Sequence, residues 1–174
     1  MQGKLMIQAI TKLLIGLIAI VILLFLPAGT IHYWNAWLFI GVLFIPVIIL
    51  GIILLLKSPE LLAKRLNAKE KESKQKQVVG LSMLMFIGGF IVAALDFRYS
   101  WCKLPNWVII IAVVTFLISY VLYIEVMREN EYLSRTIEVQ ENQKVIDTGL
   151  YGIVRHPMYS VTLLLFLSIP FILG

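Results

Sequence analysis

Charge is scarce in this chain. Only 14% of its 174 residues are Asp, Glu, Lys or Arg, and 60% are hydrophobic, well above the roughly half expected of a soluble globular domain. A water-soluble fold is excluded and a membrane protein is predicted. Cysteine is nearly absent: Cys102 alone can form neither an internal disulfide, a Cys-x-x-Cys redox pair nor a zinc ribbon. There is no internal repeat and no low-complexity linker. Polar sequence is short as well, since only two modest polar stretches remain once the apolar runs are set aside, which leaves no room for a separate soluble catalytic domain. The net charge of +5 does not point to nucleic acid, because long apolar runs occupy the surface such a ligand would need. Any chemistry belongs at the membrane surface.

Span-length apolar sequence is abundant. A bilayer core of about 30 Å takes about 20 residues of helix, with every backbone polar group satisfied internally. Four segments meet this, roughly Ile10 to Leu26, Trp34 to Leu56, Val78 to Leu95 and Trp107 to Val126, and a shorter fifth runs from Pro157 to Leu173. The expected fold is an all-α integral membrane protein of about five transmembrane helices, read as a single membrane domain over 1–174. The first segment reads as an anchoring span rather than a cleaved signal, because its core is long and no A-x-A-like site follows Pro27.

Lys and Arg concentrate in two connections. Lys57, Lys64, Arg65, Lys69, Lys71, Lys74 and Lys76 lie between spans two and three, and Arg128, Arg135, Lys144 and Arg155 follow span four. By the positive-inside rule the N-terminus and the stretches 57–77 and 127–156 are cytoplasmic. Trp34, Trp37, Trp101 and Trp107 then fall at the outer edge, as interfacial anchors. Ser58-Pro59-Glu60 opens a short helix, whose Leu61, Leu62 and Leu66 fit against the membrane. The lysines that follow are read as the orientation determinant or as a surface for anionic headgroups.

Six of the ten acids, Glu125, Glu129, Glu131, Glu138, Glu141 and Asp147, lie between Glu125 and Tyr159. Residues 136–140 and 143–146 read as two short strands around Glu141-Asn142, a small β-hairpin, followed by a turn-rich connection over Asp147 to Gly152. Arg155-His156-Pro157 then opens the last span, whose N-terminal N–H groups and partial positive charge favour an anion. Glu125 is expected to find Arg128 three residues on. Asp96 and Arg98, at the opposite edge, are assigned to structure, and His32 to an outer turn.

The run Gly149-Leu150-Tyr151-Gly152-Ile153-Val154-Arg155-His156-Pro157-Met158-Tyr159, preceded by Gln143-Lys144-Val145-Ile146, resembles the cofactor signature of the isoprenylcysteine carboxyl methyltransferase family, whose wider group includes membrane phospholipid methyltransferases. Leu95 to Tyr99 with Trp101, and Arg128-Glu129-Asn130, are similar to bacterial members, so a bacterial cell membrane is the expected location. The resemblance implies an integral membrane methyltransferase that takes S-adenosylmethionine from the cytosol and a lipophilic or lipidated acceptor, such as an isoprenylcysteine carboxylate, from the bilayer. It places cofactor contacts on Glu138, Gln143, Lys144, Val145, Ile146, Tyr151, His156, Pro157, Met158 and Tyr159; beside it, Asn130 is read as orienting the cofactor or the acceptor, and Arg155 as an acceptor contact. No catalytic residue and no metal ligand is assigned. Gln143 stands where other members have histidine; an amide hydrogen-bonds but does not titrate. Members continue through further helix into an Arg…Glu-Glu segment, so a C-terminally shortened member is expected.

Methyl transfer from a sulfonium needs positioning more than covalent chemistry. Tyr151 and Tyr159 suit either cation–π contact with the sulfonium or interfacial anchoring. His156 is a cofactor hydrogen-bond partner or a helix-entering polar group, and Arg155 a carboxylate clamp or a snorkelling cation. Two other functions fit the same residues: a membrane reductase of the sterol-reductase kind, although no Gly-x-Gly-x-x-Gly fingerprint is present, and a non-catalytic module that binds lipids or a partner through its lysines.

Overall fold

The computed structural model describes residues 2–66, 73–130 and 146–174. Seven helices are found among them: α1 (Gln2–Ala28), α2 (Trp34–Lys57), α3 (Pro59–Leu66), α4 (Ser73–Tyr99), α5 (Asn106–Glu129), α6 (Leu150–Ile153) and α7 (Pro157–Leu173). The fold is all-α and of membrane type. Helices α1, α2, α4 and α5 are each long and apolar enough to cross a bilayer, whereas the 17 residues of α7 reach about 26 Å at 1.5 Å per residue. The expected hairpin over 136–146 lies outside the described residues, except for Ile146.

Each long helix continues past its apolar run. Helix α1 starts eight residues before Ile10, and α5 goes beyond Val126 to Glu129, because a helix that must satisfy its own backbone in lipid gains nothing by stopping at the interface. Side-chain hydroxyls follow the same logic. Ser119, Thr162 and Ser168 donate to the carbonyls of Thr115, Met158 and Leu164 one turn back, at 2.7–2.8 Å, the local bond open to a hydroxyl in apolar surroundings. Outward faces carry large apolar side chains such as Ile15, Ile18, Ile22 and Ile111, all more than half exposed. In water that would be an aggregation surface; in lipid it is the solvated one.

Helix α5 packs along α7 and α1 along α4, with α2 touching α1, α5 and α7. A cluster of buried side chains lies at one end of this bundle: Leu24 and Ala28 from α1, Tyr33, Ala36 and Phe39 at the start of α2, Ala94 from α4, Ala112 and Phe116 from α5, and Ile172 and Leu173 from α7. Tyr33 is the knot. Its ring stacks on Phe97 with centroids 4.2 Å apart, and its hydroxyl donates to the Leu173 carbonyl at 2.8 Å while lying 3.3 Å from that of Ala93. Burial first, and the Asp96 charge second, push the Tyr33 phenol well above its ordinary range, so it stays a donor. The Asp96 and Arg98 side chains close the turns at this end: Asp96 accepts from the Cys102 N–H at 2.9 Å, and Arg98 donates to the Pro27 carbonyl at 3.3 Å.

At the other end the helices separate. Pro46, which has no N–H and so frees the Val42 carbonyl, divides α2 between Phe39 and Ile40 in the packed end and Val47 to Leu55 beside a cavity. Helix α3 closes this end. Its Leu62 is buried and its Leu66 lines the cavity, so these two leucines turn toward protein and not, as the sequence suggests, toward lipid.

Tyr33→Phe is expected to lower stability by about 1–2 kcal/mol, since it leaves the Leu173 carbonyl without its buried donor. Thermal unfolding in detergent measures this. Because the folded-state ionisation is raised, the contribution is whole below the ordinary phenol value of about 10 and disappears only as pH climbs above it.

Candidate active site

The site is assembled where α5 hands over to α6 and α7. Helix α5 ends at Glu129, with Asn130 as its C-cap, and both side chains reach across to residues 21 positions later. Glu129 Oε2 accepts the Leu150 N–H at 3.0 Å, and Asn130 Nδ2 donates to the Tyr151 hydroxyl at 2.9 Å. The first bond caps the single turn of α6 with a carboxylate, satisfying one of its unpaired N–H groups; the second fixes the phenol. Gly149 makes the approach possible. Its φ is +53°, and a Cβ there would overlap the Glu129 carboxylate, so only glycine serves. Gly152 lets the chain pass the Asp147 carbonyl, 2.9 Å from where its Cβ would be. The turn-rich connection expected over Asp147 to Gly152 is thus a one-turn helix with glycines bracketing Tyr151.

His156 is the residue before α7, and Pro157 occupies the first turn, where a missing N–H costs nothing. The His156 carbonyl accepts from the N–H groups of Tyr159 and Ser160 at 3.1 and 3.3 Å, and the His156 and Tyr159 rings lie 5.7 Å apart. Both rings are exposed, whereas Pro157 is buried.

These residues form one end of a cavity of about 1260 Å³, larger than the roughly 300–1,000 Å³ that suits one drug-sized ligand. Its wall has two parts. Asn130, Tyr151, His156, Tyr159, Tyr120 and Tyr123 supply amide, imidazole and phenol groups. Met6, Ile10 and Leu13 of α1, with Phe44, Ile48 and Leu55 of α2, make the opposite part apolar. Ile10, Ile48 and Ile52 line the cavity and are also about half exposed on the helix exteriors, which puts its apolar side at the lipid-facing surface. Gly16 and Gly51 lie in this wall with open space where a Cβ would stand. Two cations complete the lining: Lys12, whose ammonium donates to the Leu66 carbonyl, and Arg65, over the Tyr123 ring at 5.7 Å.

Of the residues singled out in the sequence, Asn130, Tyr151, His156, Pro157, Met158 and Tyr159 come together in this lining. Arg155 is exposed and outside it, and Ile146 is half-buried outside it. Glu138, Gln143, Lys144 and Val145 lie outside the described residues. Glu125 meets Arg128 at 2.5 Å on an exposed face. Glu129, Arg65, Lys12 and the tyrosines of α5 were not singled out. Glu129 sits next to Asn130 and opposite a Gly-x-Tyr-Gly run, which is the one sequence signal pointing to it; α3 and α1 carry no comparable signal.

The family model for phospholipid methyltransferases matches residues 107–174, that is, α5 to α7 and the connection between them. Neither the curated proteins nor the solved structures compared give a match. The family match supports a membrane methyltransferase in general. It coincides with the part of the chain that supplies Asn130, Tyr151, His156 and Tyr159 to the cavity, and the family matched is the phospholipid methyltransferase one.

Gly149→Ala should break the Glu129 to Leu150 contact and destabilise the α6 turn by about 2 kcal/mol or more. Hydrogen exchange at the Leu150 and Tyr151 amides reads it out: protection falls sharply in the variant, and unchanged protection would show that the turn does not depend on glycine.

Proposed function

We propose that this protein transfers a methyl group from S-adenosylmethionine to a nucleophile on a lipophilic acceptor, with the cofactor held at the Asn130, Tyr151, His156 and Tyr159 end of the cavity and the acceptor's hydrocarbon along α1 and α2. The observation that carries this reading is the two-part cavity: its polar end is built from the segment matched by the methyltransferase family, and its apolar side meets the lipid-facing surface. The residues suit the group. The phenol rings of Tyr120, Tyr123, Tyr151 and Tyr159 and the His156 imidazole offer π faces to a sulfonium.

S-adenosylmethionine supplies, when bound, an electrophilic methyl whose bond to sulfur breaks with its electrons as the bond to the acceptor's nucleophilic atom forms. What remains for the protein is positioning. Tyr151, fixed by Asn130, and His156, at the head of α7, define where the sulfonium sits, and the apolar wall keeps water from competing with the acceptor. The acceptor is a lipid-borne carboxylate or amine, with an isoprenylcysteine carboxylate as one instance. The site faces the cytosol, because Lys57, Lys64, Arg128 and Arg155 belong to the connections at this end of the bundle.

Binding of S-adenosylhomocysteine to the detergent-solubilised chain, measured by calorimetry, tests the reading. His156→Ala and Tyr151→Ala are each expected to weaken it about ten-fold, the loss of one or two hydrogen-bond or π contacts; affinities equal to the parent's would count against this site. Gly51→Leu fills the apolar wall with no clash and improves helix propensity. It should therefore cut methyl transfer to vesicle lipids while leaving S-adenosylhomocysteine affinity within about two-fold.

A further inference from the structure

One charge in the cavity wall is not accounted for by its neighbours. Arg65, in the last turn of α3, lines the cavity. Its Nε and Nη2 atoms are buried and have no hydrogen-bond partner among the described residues. The guanidinium carbon lies over the Tyr123 ring, 5.7 Å from its centroid. Other charges described at this end are engaged or turned outward: Lys12 by the Leu66 carbonyl, Glu129 by the Leu150 N–H, Glu125 by Arg128, with Glu60 exposed.

Burying cationic N–H donors without an acceptor is costly, and the identity of the two atoms matters. Nε and Nη2 form the side edge of a guanidinium, with two parallel N–H groups spaced to hold both oxygens of a carboxylate or two of a phosphate. A guanidinium over a tyrosine ring, with two buried unpartnered donors and apolar cavity walls beyond it, is complementary to an oxyanion attached to a hydrocarbon chain. Arg65 also lies outside residues 107–174, so the family match assigns it nothing.

We propose that Arg65 holds the oxyanion of an amphiphilic acceptor, a carboxylate or phosphate ester whose chain lies between α1 and α2, and thereby sets which lipids the site accepts. The acceptor role rests on the methyl-transfer reading; the oxyanion site does not. Holding the headgroup at α3 fixes its depth, so that a nucleophile on the same headgroup is presented toward the Tyr151 and His156 end of the cavity.

The test is calorimetric titration of the solubilised full chain with decyl phosphate, decanoate and decanol below their micelle concentrations, alongside S-adenosylhomocysteine. The unmodified chain is expected to bind decyl phosphate or decanoate at least about ten-fold more tightly than decanol, and the tighter of the two acids identifies phosphate or carboxylate as the natural headgroup. Arg65→Gln should bring the acids to the level of decanol while keeping decanol and S-adenosylhomocysteine affinity, which reports an intact cavity. Arg65→Lys, which keeps the charge but not the fork, should fall between. Lys12→Gln should change acid binding by less than about three-fold, its ammonium being engaged already. Equal affinity of the unmodified chain for decanol and both acids overturns the assignment without any variant, as does Arg65→Gln binding the acids as tightly as its parent. Arg65-dependent acid binding in a chain that does not bind S-adenosylhomocysteine would uphold the oxyanion site and overturn methyl transfer.

Discussion

The main buried cluster gathers around Tyr33 at one end of the bundle while a cavity opens at the other, and the rest of the structure follows from that asymmetry. Around Tyr33 every helix that crosses the apolar zone, α7 included, contributes a buried side chain, and the phenol ties the end of α7 to the start of α2. Beyond Pro46 and Tyr120, residues of α1, α2, α3, α5 and α7 line the cavity. A hydrocarbon solvent exerts little drive to close such a gap, since lipid tails are as apolar as leucine. Helices fixed at one end and apart at the other can hold a hydrophobic ligand without loss of fold.

At the open end, order comes from side chains that cross between helices. Glu129 and Asn130, at the last turn of α5, hold Leu150 and Tyr151 by two bonds of 3.0 and 2.9 Å, and Gly149 provides the close approach that both require. Lys12 and Arg65 tie α1 and α3 into the same wall. The polar half is therefore fixed by hydrogen bonds and the apolar half by shape alone. That division suits a cofactor that must be oriented and an acceptor that needs mainly to be admitted.

The sequence declares some of this openly. Spans of about 20 apolar residues are dictated by bilayer thickness, so helices α1, α2, α4 and α5 are legible from hydropathy, and the proline and glycine pattern from Gly149 to Pro157 marks the turn and the start of α7. Tyr151, His156 and Tyr159 stand out in the sequence by their resemblance to a cofactor signature, and the fold brings them into one cavity lining. Arg65 does not stand out. In the sequence it is one of seven cations between two spans, and only the fold of α3 against α1 and its place over the Tyr123 ring distinguish it from the others. Leu62 and Leu66 misled for the same reason, as a leucine facing a protein cavity and one facing lipid look alike in one dimension. Glu129 depends on an approach across 20 residues that local pattern does not encode.

On the proposed reading, two ligands meet in one cavity from different phases. The most direct measurement is a density map of the chain bound to S-adenosylhomocysteine in lipid nanodiscs. The account predicts nucleoside density against Tyr151, His156 and Tyr159, with a separate tail of hydrocarbon density running between α1 and α2 toward the surface marked by Ile10 and Ile48. Hydrocarbon density filling the Tyr151 end, or a nucleoside seated elsewhere on the protein, would contradict it.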